Sequence, residues 1–389
     1  MTGLVVTLFA VATKAALAAD PDMDRIQTAA KQGVVAQEIE LAADYFAGRG
    51  VPRDEKLAAH WYEKAAAAGD PAAQNQIGYF YETGIGVPVD ARKAVHWYQL
   101  AAASGLVRGK VNLGVANVQG IGVPKDEKFA AQLFEEAARN GSGSGATYLG
   151  DLYYFGLGVR QDRAEAIKWY EKGVKMHSPL ACFQLGILNS DSKDHPHDFP
   201  KAAALLRASA NAGYVPAMQL LGKVLAQHPE VVESTNEAAF WLDQAASAGS
   251  WKASVVLGVL ARDGQGLPVD SKSAYFHFKV ATLQGGEKVQ KLVHNDLRTL
   301  TAKLGSEQTA AIDSEANQWF GRHRLALNFI YKDSDRRSLF PAYAQAVSPD
   351  GLHPGRLIPT PLIGDEQEES PEREAGKPES ADTRLGTGS

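Results

Sequence analysis

The chain has 389 residues, of which 45% are hydrophobic and 22% are charged, a balance that is ordinary for a folded protein. Its net charge of −5 resides in residues 365–389, where eight acids stand against three bases, so the rest of the chain is neutral overall. No basic stripe therefore indicates nucleic acid as a partner. A single cysteine, Cys182, excludes an intramolecular disulfide and leaves the redox compartment open.

Residues 1–19 carry most of the pattern of a secretory signal peptide. The short apolar run Leu4–Ala12 is followed by Ala16-Leu17-Ala18, an A-x-A sequence of the kind that precedes a cleavage site. The first basic residue, Lys14, follows the apolar run, whereas a signal peptide carries its positive charge before it. We therefore expect a periplasmic or secreted protein, with an uncleaved membrane anchor or an ordinary helix of a cytoplasmic protein as alternatives. No other stretch is apolar enough for a membrane span in the mature chain.

A short glycine-rich pattern recurs every 36 residues. Its clearest copy is Gly84-Ile85-Gly86-Val87-Pro88-Val89-Asp90, and further copies begin at Gly48, Gly120, Gly156 and Gly264. A fixed period of this length is the mark of a solenoid, in which each unit buries its apolar face only against the next unit. The GxG sequences follow predicted helices rather than strands, so they are interpreted as helix ends and not as phosphate-binding loops.

Each unit is predicted to be a helical hairpin. Gly84 ends the first helix as a left-handed cap, Pro88 stops its continuation, and Asp90 caps the second helix. Positions that lie 36 residues apart in successive units form a column. Small residues in the column that contains Gly78 are expected to let the backbones of the two helices approach. The column that contains Trp97 is expected to supply bulk between hairpins. Short connections make the two helices of a unit antiparallel.

The 36-residue period also divides the chain. Residues 20–35 are predicted to form an N-terminal capping helix, 36–287 to form seven repeats, and 288–330 to form a C-terminal capping pair of helices. Residues 331–389 are rich in proline and acids, cannot bury enough apolar surface, and are predicted to be a disordered tail. The predicted fold is therefore all-α, a solenoid of helical hairpins.

The repeat columns resemble those of the Sel-1-like repeat (SLR) family, relatives of the tetratricopeptide repeats. The resemblance covers about residues 21–321 and recurs with good fidelity in units one to four and seven. It implies a right-handed α–α superhelix that works as a binding scaffold. Bacterial members of the family are often exported and act in envelope signalling, polysaccharide export or host contact. The residues that carry the match in the second unit are Gly78, Gly84, Gly86, Asp90, Ala94, Trp97 and Gly105.

The fifth and sixth units lack the GxG pattern. Ser192 and Asp194 replace the two glycines in unit five, and His228 and Glu230 replace them in unit six. The unit-five turn, residues 191–198, holds His195 and His197 among three aspartates, and such a set can bind a divalent metal. The alternative is an ordinary helix-capping turn, and no metal or cofactor is assigned.

No catalytic constellation is recognisable. The chain carries no GxSxG or HExxH motif, and Cys182 lies in a column expected to face a neighbouring helix, without a histidine at a recognisable spacing. We therefore predict a non-enzymatic scaffold that binds a partner protein or peptide. The alternatives are an exported scaffold that contacts polysaccharide or cell wall, suggested by Tyr79 and Tyr154, and a hydrolase whose site is assembled across units.

The resemblance places the first helix of each unit on the concave face, so the positions of that helix outside the packing columns are candidates for contact with the partner. Apolar members such as Val115 and Phe183 are expected either to bind a partner or to pack against neighbouring units. If they bind a partner, glutamate at both positions weakens partner capture and leaves thermal stability nearly unchanged. The candidate residues are Asn75, Tyr79, Glu82, Val115, Val118, Asp151, Tyr154, Phe183, Ile187, Gln219, Lys223 and Arg262.

Overall fold

The computed structural model describes residues 21–191, 196–231, 236–264 and 268–327. Every regular element in these ranges is helical: seventeen α-helices and one short 3-10 turn, Pro229–Val231. In chain order the α-helices are α1 Pro21–Lys31, α2 Val35–Ala47, α3 Glu55–Ala67, α4 Pro71–Thr83, α5 Ala91–Ala103, α6 Val107–Gln119, α7 Glu127–Arg139, α8 Gly143–Phe155, α9 Arg163–Lys175, α10 Pro179–Asp191, α11 Phe199–Asn211, α12 Val215–Gln227, α13 Glu237–Ser247, α14 Trp251–Asp263, α15 Ser271–Leu292, α16 His294–Leu304 and α17 Ser306–Leu327.

The helices form a solenoid of hairpins, which confirms the predicted all-α fold. The even-numbered helices α2 to α14 are the first helices of the seven units, and the odd-numbered helices α3 to α15 are the second helices. Each second helix packs on the first helix of its own unit and on that of the next unit. First helices of consecutive units also contact each other directly, as α8 contacts α10 and α12 contacts α14. This arrangement puts the first helices on the inner side of the stack.

The turn between the two helices of a unit has the predicted caps. Gly84 lies in the left-handed region (φ 77°), and its N–H donates to the carbonyl of Phe80. The Asp90 carboxylate accepts from the N–H groups of Arg92 and Lys93 at the start of α5. The Asp90 N–H donates back to the carbonyl of Tyr81, 2.8 Å away, which closes the turn. These bonds satisfy backbone groups that a helix end leaves without partners.

The second glycine of the pattern has a role that the sequence analysis missed. A Cβ atom on Gly86 lies only 1.9 Å from the carbonyl oxygen of Glu55, the first residue of α3 in the preceding unit. The same approach joins Gly122 to Ala91 at 2.2 Å. Since both contacts are to backbone, no side-chain rotation can relieve them. The turn therefore ends a helix and, in units two and three, also docks the unit on its predecessor.

The glycine column inside the first helices receives a large side chain from the second helix. A Cβ on Gly78 lies 2.7 Å from the ring of Tyr98, and a Cβ on Gly114 lies 2.6 Å from the ring of Phe134. Tyr98 is fully buried, whereas Trp97 beside it is half-buried. Tyr98 therefore fills the interior of its own hairpin, while Trp97 packs partly buried against the same apolar cluster.

The sixth unit replaces the missing GxG contact by an ion pair. Arg207 of α11 donates from Nε to one oxygen of Glu237, 2.6 Å away, and from its terminal nitrogen to the other, 2.8 Å away. The same terminal nitrogen donates to the carbonyl of Val231 at the irregular turn. Both charged side chains are largely buried, so this bidentate pair holds the 3-10 turn Pro229–Val231 and the start of α13 on unit five.

Arg207→Met is expected to lower the free energy of unfolding by roughly 2–3 kcal/mol, because it leaves the Glu237 carboxylate largely buried without its partner. Arg139→Met is the matched control, since Arg139 pairs with Glu135 on the exposed face of one helix. That change is expected to cost less than about 0.5 kcal/mol. Urea denaturation followed by circular dichroism measures both, and equal losses contradict a special role for Arg207.

The two ends of the array are irregular. At the N-terminal end α1 packs on α2, within the segment predicted to be a capping helix. At the other end α17 packs mainly on α15 and only weakly on α16, so α16 and α17 do not repeat the hairpin geometry. Trp319 reaches Phe276, and Asp313 pairs with Lys279 at 3.1 Å. None of the helices in the described ranges is both long and apolar enough to cross a membrane. Residues 1–19 and 331–389 lie outside the described ranges.

Candidate partner-binding surface

The predicted binding positions on the first helices fall into two groups by burial. The structure buries seven of them within the stack: Asn75, Tyr79, Val115, Val118, Asp151, Phe183 and Ile187. The other five are half-buried: Glu82, Tyr154, Gln219, Lys223 and Arg262. The buried group comes from α4 to α10, whereas three of the five half-buried residues come from α12 and α14. The candidate positions are therefore mostly buried in units two to five and half-buried in units six and seven.

The buried positions contact other units of the same chain. The Asn75 side-chain carbonyl accepts from the amide of Asn112, one unit further along, at 2.8 Å. The ring of Phe183 meets that of Tyr214 edge to face, with centroids 4.9 Å apart. Val115 lies in the same apolar cluster as Phe183. Of the two roles expected for Val115 and Phe183, the structure therefore supports packing between units.

The half-buried positions differ in how many partners they have. The Glu82 carboxylate accepts from the hydroxyl of Tyr98 at 2.6 Å. The ring of Tyr154 lies below the guanidinium of Arg163, 5.3 Å from its centroid. Gln219 accepts from Ser250 at 2.7 Å. These side chains are already held by neighbours in the chain.

Lys223 and Arg262 are the two cations among the five half-buried candidate positions. Arg262 is bound by two carboxylates, those of Asp263 and Asp296. Lys223 makes no hydrogen bond or ion pair with any residue in the described ranges, although it is half-buried. A lysine ammonium group without a fixed counter-ion is available to a carboxylate of a partner.

Half-buried aliphatic side chains lie beside Lys223 in the repeat register. Val259 of α14 occupies the position that Lys223 occupies in α12, one repeat earlier, and these two helices are in direct contact. Val255 lies one turn before Val259, and Val255 and Val259 remain half-buried. We name these residues the α12–α14 surface: Gln219, Lys223, Ala226, Val255, Val259 and Arg262.

Asp151 is a buried acid in a column that is mostly apolar elsewhere. Its Oδ1 accepts from the hydroxyl of Tyr170 at 2.7 Å and from the side-chain amide of Gln184 at 2.9 Å. Burial raises the pKa of the Asp151 carboxyl to about 7, against these two hydrogen bonds, which act to lower it. Tyr170 and Gln184 escaped the sequence analysis, because nothing in their spacing shows that they converge on one carboxyl.

The other chemical candidates do not assemble a reactive site in the described ranges. Cys182 is buried, and burial raises the pKa of its thiol, which disfavours the reactive thiolate. Tyr79 is buried and offers no ring face to a glycan. His195 of the unit-five turn, where metal binding was one alternative, lies outside the described residues, and His197 is exposed beside Phe199. No group of three potential metal ligands occurs among the described residues.

Comparison with known families identifies the repeat. The Sel1 repeat model matches residues 38–70, 71–106, 108–142, 143–178, 179–214, 215–250 and 252–286, which together make up more than half of the chain. The chain belongs to the Sel1 repeat family. The resemblance seen in the sequence is thereby confirmed, and Sel1 repeat proteins generally act as scaffolds for protein–protein interaction. None of the curated proteins matches the chain.

Solved structures agree with this family assignment. A Sel1 repeat protein from Oxalobacter formigenes is 26% identical, with a TM-score of 0.51, and the match covers 71% of this chain and 80% of that one. The protective antigen c5321 of uropathogenic Escherichia coli, which displays an SLR fold, is 23% identical over 81% of this chain and 91% of that one. Its TM-score is 0.30.

Proposed function

We propose that this Sel1 repeat protein is a non-enzymatic scaffold that binds a partner protein or peptide on the α12–α14 surface. The observation that carries the proposal is the conjunction, on one inner stretch, of half-buried Val255 and Val259 with Lys223, which has no counter-ion in the described ranges. Aliphatic side chains supply apolar area to an interface, and a cation fixes the orientation of an acidic partner group. The partner segment that fits carries an aliphatic side chain close to a carboxylate.

The location of the binding surface is tested by using variants of this chain as baits and comparing the proteins that each variant captures. Lys223→Glu combined with Val259→Glu places two acids on the α12–α14 surface. The amount of partner that this double variant captures is expected to be at least tenfold lower than the amount captured by the wild-type chain. Lys172→Glu is the control, because Lys172 is exposed on the second helix α9, above the ring of Trp169. Quantitative mass spectrometry of captured proteins measures both. A partner lost with Lys172→Glu and kept by the double variant contradicts the proposal.

We also propose that the scaffold works in the cell envelope, in signalling or assembly. The support is the apolar run and A-x-A sequence within residues 1–19. Mass spectrometry of the N-terminus of the protein isolated from the periplasmic fraction is expected to find a chain that starts close to Asp20. A cytoplasmic protein that retains residues 1–19 contradicts export.

A further inference from the structure

The junction between units four and five contains a buried carboxyl without a counter-ion. Asp151 of α8 is 3% exposed, and its hydrogen-bond donors are two neutral groups, the Tyr170 hydroxyl of α9 and the Gln184 amide of α10. In the described ranges no cation pairs with Asp151. A carboxylate at such a site loses its hydration and gains no opposite charge in exchange.

The helices packed on α8 supply no charge that compensates Asp151, since the cations of α9 are exposed and α10 carries none. Helix α7 meets α8 through Phe134, while its acids Glu135 and Glu136 are paired with Arg139 and Lys110. Two groups close to the site are neutral tyrosines. The pKa of Tyr214, which precedes α12, is raised chiefly by burial and also by the Asp151 charge. The pKa of the Tyr170 hydroxyl is raised for the same two reasons, so neither tyrosine readily ionises.

The three hydrogen-bonded residues join three different helices. Asp151 and Tyr170 belong to the hairpin of unit four, whereas Gln184 belongs to the first helix of unit five. The Gln184 bond therefore crosses the unit boundary on the inner side, next to the packed residues Phe183 and Ile187. In unit three the equivalent position is Val115, and in unit five it is Ile187, so the two neighbouring units carry apolar side chains at this level.

We propose that the junction between units four and five is a protonation-controlled joint: the neutral Asp151 carboxyl keeps α10 closed on α8, and the carboxylate loosens it. The buried neutral carboxyl gives up its proton only when the pH rises towards neutrality, whereas an open, hydrated carboxyl is already ionised above pH 3.8. Opening is therefore rare in acid, increases as the pH rises, and becomes independent of pH once the closed form is ionised as well. Opening separates units one to four from units five to seven, which carry the α12–α14 surface.

The direction and the size of the change in opening follow from the pKa of the Asp151 carboxyl in the closed form and its pKa in the open form. Between pH 5 and pH 8 the opening equilibrium constant is expected to rise on the order of 10- to 100-fold. The measurement must report on α8 and α10 alone, because other buried groups of the chain titrate in other pH ranges. One example is His277 in α15, where burial lowers the pKa to about 4.

Hydrogen exchange of the full chain at pH 5 to 8, corrected for the chemical exchange rate, tests the joint by mass spectrometry. Peptides from α8 and α10 are expected to lose protection as the pH rises, whereas peptides from α4 and α6 are not. Asp151→Asn keeps the shape and the acceptor oxygen but cannot ionise, and it is expected to abolish the pH response. Glu171→Gln, which removes an exposed carboxyl of α9, is expected to leave the response unchanged.

Carbon NMR of the Asp151 carboxyl in the wild-type chain gives a second readout that needs no variant. Titration close to neutral pH supports the joint, and titration close to pH 4 overturns it. A pH response of α8 and α10 that survives in Asp151→Asn, or the absence of any response in the wild type, overturns it equally.

Discussion

Gly86→Ala is expected to destabilise the array by at least about 3 kcal/mol. The new Cβ meets the carbonyl of Glu55 at 1.9 Å, and the residue keeps a left-handed φ of 67°, which disfavours any L side chain. The clash is with the backbone of the preceding unit, so units one and two must separate to relieve it. Guanidinium denaturation of the full chain, followed by circular dichroism, measures the loss.

Gly105→Ala is the control that separates backbone strain from the contact between units. Gly105 is also left-handed, with φ 84°, but a Cβ there meets no atom within 4 Å. Its substitution is expected to lower the free energy of unfolding by about 1–2 kcal/mol, because it adds backbone strain and no contact between units. If Gly86→Ala costs no more than Gly105→Ala, the second glycine of the pattern does not act as a docking point.

Val115→Glu is expected to cost about 4 kcal/mol or more in free energy of unfolding, because it puts a carboxylate without a partner among the buried residues of the main cluster. This expectation replaces the sequence-based one, in which Val115→Glu with Phe183→Glu left thermal stability nearly unchanged. Thermal melting of the single variant provides the measurement. A melting temperature within about 2 °C of the wild type means that Val115 faces solvent.

Val259→Glu is the matched control, because Val259 occupies the same column as Val115, four repeats later, and is only half-buried. A glutamate there can turn its carboxylate towards water, and the expected loss is less than about 2 kcal/mol. Equal losses at the two positions contradict the difference in burial between the first five units and the last two.

The architecture could be predicted almost completely from the sequence, because it depends on local chemistry repeated in register. A glycine after a helix, a proline that stops it and an aspartate that caps the next helix act within a few residues of each other. Asp90 and Gly84 have the predicted roles for this reason. The attachment of α13 to unit five is the exception, since the Arg207–Glu237 pair that holds it joins residues of two units.

The candidate surface was harder to predict, because the period gives the direction of a side chain but not its burial. Val115 and Val259 share a column, yet the packing of neighbouring units buries one and leaves the other half-buried. The same limit applies to Asp151, whose environment is set by Tyr170 and Gln184 from two other helices. Contacts across units depend on the tilt of each hairpin, which a column count does not contain.

The central claim is that a partner binds the inner side of the last two units, and hydrogen exchange of the complex with the captured partner tests it most directly. The account predicts added protection in α12 and α14, residues 215–227 and 251–263, with little change in the second helices α3, α5 and α7. Protection concentrated on α3, α5 and α7, with α12 and α14 exchanging as in the free chain, contradicts it.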